Sequence, residues 1–466
     1  MENLKERISS KRSFPVAVSI LYLFTFIITA FFTDRWGYYQ LFFSINFIFF
    51  IALVFSISKT NLEGQKWIMI PLFLVPFLLQ LILLFNDPSF SQDIMRLQFR
   101  GEAMSDGLEP YEQFEINKPP LYIWMVGIIS YTLGTSQLLF RLLFIIFNSL
   151  IPVTMFIIGK TNSSRNWKMG AFAYALWPVA LMETGIAGHF DPVVALAVLV
   201  SFLFLVKRNP FVSGIFLGAG FALKIFPIFI APFFFFSLEG IKKRSFFISG
   251  FISIPVISAL PFLIGNPSGL TDYLLYQSSG WGSSMSFQFL MDMTPIPRFL
   301  IFILFTSILA IGMLFLIYAG LYNKNNRSGI FLISLILLSI IPAGYYLLIL
   351  IAGASGINLI IGVLPVIITS VLIAISFIPI IRLKNYINKK EIKNWLKAAI
   401  PFDRVAELSA LSLILLLLTS AQFHPWYLLW TAPFAFSSAR LAWSFILVSG
   451  PLHFNSYPPW EMGGMF

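Results

Sequence analysis

The sequence predicts an all-α polytopic membrane protein of about 13 to 15 spanning or half-spanning helices. Three observations carry that reading. The 466 residues are 58% hydrophobic, with a mean hydropathy of +0.85. Only 11% are charged. Apolar runs of about 17 to 25 residues recur along the whole length, each long enough to cross a bilayer as a helix. No polar stretch exceeds about 35 residues, which leaves no room for a separate soluble domain. Cysteine is absent, excluding disulfides, thiolate nucleophiles and cysteine-ligated metals. A net charge of +11 fits the cytoplasmic loops of a polytopic protein better than a nucleic-acid surface.

Taken in order, the first apolar run begins near Phe14 and lacks a small-residue cleavage site, so 14–34 reads as a retained helix. It is followed by a second span near 39–57. Residues 1–66 are thus a cytoplasmic N-terminus with two added spans. A span near 67–86 opens a core that extends to residue 240. It continues through an acid-rich outer segment, 87–118, and a stretch at 119–135 that is marginal for crossing and reads as a helix lying on the outer surface. Spans near 138–159, 168–183 and 190–206 come next. Residues 211–238, between Lys207-Arg208 and Lys242-Lys243-Arg244, read as a hairpin of two half-spans. The variable remainder, 241–466, holds spans near 245–264, 298–321, 328–350, 357–382, 406–421 and 440–455. It also holds a shorter span near 425–437, an outer loop at 265–297 and an aromatic motif at 421–434. With the N-terminus inside, roughly 24 of the 31 Lys and Arg residues fall on the inner face, as the positive-inside rule requires. The same map puts about 13 of the 20 carboxylates outside. Polar chemistry converges on the outer face.

Segment 87–118 contains Asp87, Asp93, Glu102, Asp106, Glu109, Glu112 and Glu115. A loop of this length beside a membrane is more often functional than a connector. Asp93 lies just past the end of a span, where a carboxylate can take a proton from a hydroxyl. Arg96 and Arg100 follow at i+3 and i+7 and would share its helical face. The plainer alternative is a solvated acid paired with Arg96. Lys224 interrupts FALKIFPIFIAPFF, where an unpaired ammonium is costly. At a hairpin tip it could hold a phosphate; otherwise it snorkels from a helix end.

The motif AQFHPWYLLWTAPF holds Gln422, His424, Trp426, Tyr427 and Trp430. An interfacial aromatic belt accounts for its rings but not for His424 or Gln422. An aromatic-lined polar pocket suits a sugar ring. METGIAGHFDPVVAL brings Glu183, His189 and Asp191 to one helix mouth. These are metal-ligand types, although Asp191 followed by Pro192 equally describes a helix start. Arg141 is an isolated charge that could pair with a carboxylate or a lipid phosphate. The loop YLLYQSSGWGSSMSFQFLMDM offers hydrogen-bonding groups or simple flexible linkage.

Together these blocks resemble GT-C fold glycosyltransferases. The likeness is to the catalytic subunit of the first mannosyltransferase of GPI-anchor synthesis and to its polyprenyl-phosphate-dependent prokaryotic relatives. It rests on GLEPYEQFEINKPPLYIW, on ALWPVALMETGIAGHFDPVVALAVLVSFLFLVKRN followed by FALKIFPIFIAPFF, on YLLYQSSGWGSSMSFQFLM and on AQFHPWYLLWTAPF, and covers roughly residues 67–440. Two departures stand out. Ser91 occupies the first position of the family's Asp-x-Asp pair, which leaves Asp93 alone, and the first two spans precede the family core.

The resemblance implies transfer of a hexose, mannose or similar, from a polyprenyl (dolichyl-type) phosphate to a lipid-linked or protein acceptor. Asp93 would be the base. Lys224, with Arg141 or Arg298, would face the leaving phosphate, and His424 and Tyr427 would orient sugar or phosphate. Gln422, Asp191, Glu183, Arg96, Lys118 and Tyr111 complete the substrate-binding set. No cofactor is certain; a divalent metal is possible but is not supported by the sequence. The implied partners are the lipid donor, the acceptor and the bilayer, with room for an accessory membrane subunit and none for nucleic acid. The implied location is the plasma membrane of a prokaryote or the ER membrane of a eukaryote, with the site outside or luminal. The alternative is a lipid or solute transporter or flippase, whose folds also use broken helices and intramembrane charge. No two-fold internal repeat supports it.

Overall fold

The computed structural model describes residues 2–31, 36–58, 66–85, 92–108, 111, 118–265, 309–314, 316, 317, 320, 400–419, 425–438 and 441–455. Among the described residues there is helix, turn and coil but no strand. The protein is an all-α membrane protein. Helices α1 (Glu2–Phe31) and α2 (Trp36–Ser58) form the first pair. They are followed by α3 (Met69–Leu83), α4 (Gln92–Ser105), α5 (Pro120–Leu133), α6 (Gln137–Thr161), α7 (Arg165–Ala175) and α8 (Pro178–Gly185). Then come α9 (Asp191–Val206), α10 (Pro210–Leu223), α11 (Ala231–Phe236) and α12 (Ile241–Gly265). The last three are α13 (Phe402–Thr419), α14 (Leu428–Phe436) and α15 (Ala442–Asn455).

Segment Leu41–Ser58 of α2, together with α6 and α12, is long and apolar enough to cross a membrane. Helix α5, at 14 residues, rises about 21 Å, less than the roughly 30 Å hydrocarbon thickness. Its surface carries Ile128, Tyr131 and Leu133 exposed. Two sequence expectations change form. The span expected at 168–183 is two helices, because Trp177 takes an extended conformation before Pro178, which cannot continue a preceding helix. The expected hairpin at 211–238 is α10, a 3-10 turn at Phe226–Phe229 and α11. Its break falls on Lys224, which has extended backbone. Of the span expected near 298–321 only a few helical residues are described. The spans near 328–350 and 357–382 and the loop 265–297 lie outside the described residues.

The chain divides into two compact units. One comprises Met1–Pro227, Phe247–Ser278 and Pro425–Phe466; the other comprises Ile228–Phe246 and Ser279–His424. In the first unit α6 is central, with α3, α7 and α9 packed around it, and α14 lies against α7 and α9. A buried polar ladder pins these helices. The Asn148 amide donates to Gln80 Oε1 at 2.9 Å and the Tyr174 hydroxyl donates to Asn148 Oδ1 at 2.9 Å. Pairing of this kind is what makes buried amides tolerable. Helix α1 docks by the same means, since the Tyr22 hydroxyl donates to the Leu176 carbonyl at 2.6 Å. Trp177 reaches α15 by donating to Ser449 Oγ at 3.2 Å. In the second unit, the Ile400 N–H donates to the Phe236 carbonyl and Arg244 Nε to the Leu238 carbonyl.

Candidate active site

The acid-rich segment is not all loop. Residues 92–105 form α4, which buries Ile94, Leu97 and Ala103. The helix lies on α5. Gly101 and Gly127 permit this, since a Cβ at Gly101 would run into Ser130 Oγ and one at Gly127 would meet the Met104 methyl at 2.6 Å. Asp93 occupies the first turn, where a carboxylate complements the helix dipole.

One Asp93 oxygen lies 3.5 Å from His189 Nδ1, and the side chain is 40% exposed. His189 is buried and turns its other nitrogen, Nε2, to Glu183 Oε2 at 3.4 Å. Its ring stacks on Trp426 with centroids 3.9 Å apart. The tight turn that delivers His189 depends on Gly188, whose φ is +68°, a conformation that other residues avoid. A Cβ there would also press on Arg141 Cγ at 2.9 Å and Ile94 Cδ1 at 3.0 Å.

Asp191 opens α9 and is 1% exposed. Its Oδ1 accepts from Lys224 Nζ at 2.8 Å and from the Trp430 indole N–H. Its Oδ2 is buried with no hydrogen-bond partner among the described residues. The Lys224 ammonium sits over Trp430, Tyr427 and Phe190 at 4.6, 4.7 and 5.2 Å from the ring centroids. Such aromatic faces attract a cation as it loses water. Lys118 approaches Phe190 and Tyr122 at 5.6 and 5.8 Å. Two ammonium groups therefore share the Phe190 ring.

The electrostatics follow from that crowding. Burial, then the charge of Lys224, push Lys118 down to about 8 against the opposing pull of Asp93 and Asp191. Burial alone would raise Asp93. The hydrogen bond and charge of His189, with the charges of Lys118 and Lys224, outweigh it and hold the carboxyl well below the ordinary range. Asp93 is thus ionised at neutral pH, as a group that must accept a proton has to be.

The remaining candidates are distributed as follows. Tyr111 donates to the Lys118 carbonyl at 3.2 Å and packs edge-on against Phe262, so it braces the Lys118 turn. Arg96 is exposed on α4, whereas Arg100 hydrogen-bonds Tyr122. Arg141 is buried and donates to the Gly185 carbonyl at 2.7 and 3.2 Å and to the Leu83 carbonyl at 2.9 Å. Those carbonyls end α8 and α3, where a guanidinium satisfies orphan acceptors and the dipole. Gln422, His424 and Arg298 lie outside the described residues. The sequence did not single out Phe190, or His189 as the bridge between Asp93 and Glu183. The pointer was Gly188 immediately before His189, a turn residue that fixes where an imidazole goes.

Residues 119–342 match the family model of glycosyltransferase family 87. That match indicates a membrane glycosyltransferase and is consistent with the GT-C type, without singling out mannosyltransferase I. Asp93 and Tyr427 lie beyond the matched stretch, while Glu183, His189, Asp191 and Lys224 lie within it. No curated protein and no solved structure matches the chain.

Proposed function

We propose that this glycosyltransferase moves a hexose, mannose by the family likeness, from a polyprenyl or dolichyl phosphate to a hydroxyl of a lipid-linked or protein acceptor, with inversion, at the outer or luminal face. The observation that carries the reading is a carboxylate, Asp93, facing the charges of two lysines that share one aromatic ring, in a cluster walled by Tyr427 and Trp430.

Asp93 takes the proton of the acceptor hydroxyl as its oxygen bonds to the anomeric carbon. The bond from that carbon to the phosphate oxygen breaks, and the phosphate leaves with the electron pair. Lys224 and Lys118 oppose the growing negative charge where water is scarce, so their effect is larger in the transition state than in the bound donor. Asp191 pairs with Lys224 and so holds that ammonium in place. Gln422, His424 and Arg298 keep their proposed roles in binding.

The test is purified protein incubated with radiolabelled polyprenyl-phosphate hexoses and total membrane lipids, with products identified. Label in a new glycolipid or glycoprotein supports the reading. Translocation of intact lipid donor across proteoliposomes without transfer would establish the flippase instead.

A further inference from the structure

Glu183 is a carboxylate 1% exposed to solvent, and the mechanism above gives it nothing to do. Burying a charge there is costly unless something offsets it. The geometry supplies an offset: Glu183 Oε2 is 3.4 Å from His189 Nε2, and His189 Nδ1 is 3.5 Å from Asp93 Oδ2. Trp426 lies flat on the imidazole and the Gly188 turn fixes its backbone, so the ring has little freedom to swing away. Three titratable groups from α4, α8 and the turn before α9 form one chain, and of the three Asp93 is the one open to solvent.

We propose that His189, seated on Glu183, is a positioning residue that aims Asp93 and sets a positive charge against it, forming a carboxylate–imidazolium–carboxylate chain. This rests on the reading of Asp93 as the base. In that chain both ring nitrogens donate, one to each carboxylate, and the imidazolium compensates the buried Glu183. One Asp93 oxygen is engaged by His189, which leaves the other for the acceptor hydroxyl. The arrangement has the orienting logic of a carboxylate behind a histidine, with the difference that here the terminal carboxylate meets the substrate. Among the described residues, Lys118 and Lys224 also set their charges against Asp93. They remain in place when His189 is changed, so a His189 variant isolates its contribution.

The experiment measures transfer from radiolabelled polyprenyl-phosphate mannose to total membrane lipids across pH, for full-length wild type, His189→Gln, Glu183→Gln and Asp93→Asn in nanodiscs. His189→Gln keeps a hydrogen-bond donor but removes the charge. Its turnover should fall about 10- to 100-fold, with little change in donor KM. The acid limb of its pH–rate profile should also move to higher pH, because Asp93 loses the partner that holds it ionised. Glu183→Gln should move the limb in the same direction. Imidazole should partly restore His189→Ala.

A His189→Gln profile that superimposes on wild type, with Asp93→Asn inactive, overturns the chain and leaves the base assignment standing. An active Asp93→Asn overturns both. Absence of transfer by wild type from any polyprenyl-phosphate hexose removes the functional reading and this inference together. If His189→Gln does not fold, the Glu183→Gln profile decides: a displaced acid limb supports the chain and an unmoved one overturns it.

Discussion

At the scale of single residues the site is a set of charges held close together, and each can be tested by what its removal leaves behind. Asp93→Asn keeps shape but cannot accept a proton, so turnover should fall by about two to four orders of magnitude while thermal stability holds, since the side chain is partly exposed. Asp106→Asn, exposed beyond the end of α4, should transfer normally; the reverse pattern in a turnover assay would move the base. Lys224→Met is a harsher change, because it strips the ammonium from buried Asp191. Removing one partner of a buried pair costs about 3–5 kcal/mol. Adding Asp191→Asn should restore melting temperature yet leave the donor KM high, which separates folding from phosphate binding. Recovery of donor KM in that double variant would reduce Lys224 to a structural partner. Lys118 gives a pH signature. It is protonated below about 8 and loses its charge above that value, whereas a phosphodiester donor keeps its charge throughout. Donor KM should therefore rise as pH passes through about 8 in wild type and stay flat in Lys118→Met.

At the scale of elements, breaks and close approaches decide where these residues go. Lys224 reaches Asp191 because α10 stops at Leu223 and the chain continues extended. α10 in turn packs backbone to backbone on the Phe247–Gly250 turn of α12. A Cβ at Gly214 would collide with the Phe247 carbonyl oxygen, one at Gly218 with that of Phe251, and one at Gly250 with that of Phe211. The obstacles are main chain and cannot rotate aside. Gly218→Ala should cost about 1–3 kcal/mol, read as a lower melting temperature in detergent, and should raise donor KM by displacing Lys224. An unchanged melting temperature would mean that the two helices separate without cost. Long apolar elements such as α6 and α9 were legible in the sequence because a lipid-spanning run is a compositional signal. The division of α7 from α8 was not read, although Pro178 marks it. Helix α4 was read as part of an acidic loop because its carboxylates mask an apolar face of Ile94, Leu97 and Ala103. Arg141 as a clamp on two helix ends was beyond sequence reasoning, since its partners are backbone carbonyls contributed by residues 83 and 185.

At the scale of the whole molecule, charge counting predicts the sidedness of the site. The chemistry proposed for Asp93 requires that it meet a donor and an acceptor on one face of the bilayer. A pair α1–α2 that crosses twice leaves downstream orientation unchanged, because two spans return the chain to the side it came from. The basic segments Lys207-Arg208 and Lys242-Lys243-Arg244 should then be cytoplasmic, with α4 on the opposite side. Absence of cysteine makes the test clean. A cysteine placed at Ser105, exposed at the end of α4, should react with a membrane-impermeant maleimide added outside intact cells or spheroplasts. One placed at Lys243, exposed near the start of α12, should react only after the membrane is opened. The acid at α4 and the lysines at 118 and 224 form one electrostatic cluster, so they must share a side. Labelling of the Ser105 cysteine solely from the cytoplasm would turn the entire map over and, with it, move the proposed transfer to the cytoplasmic face.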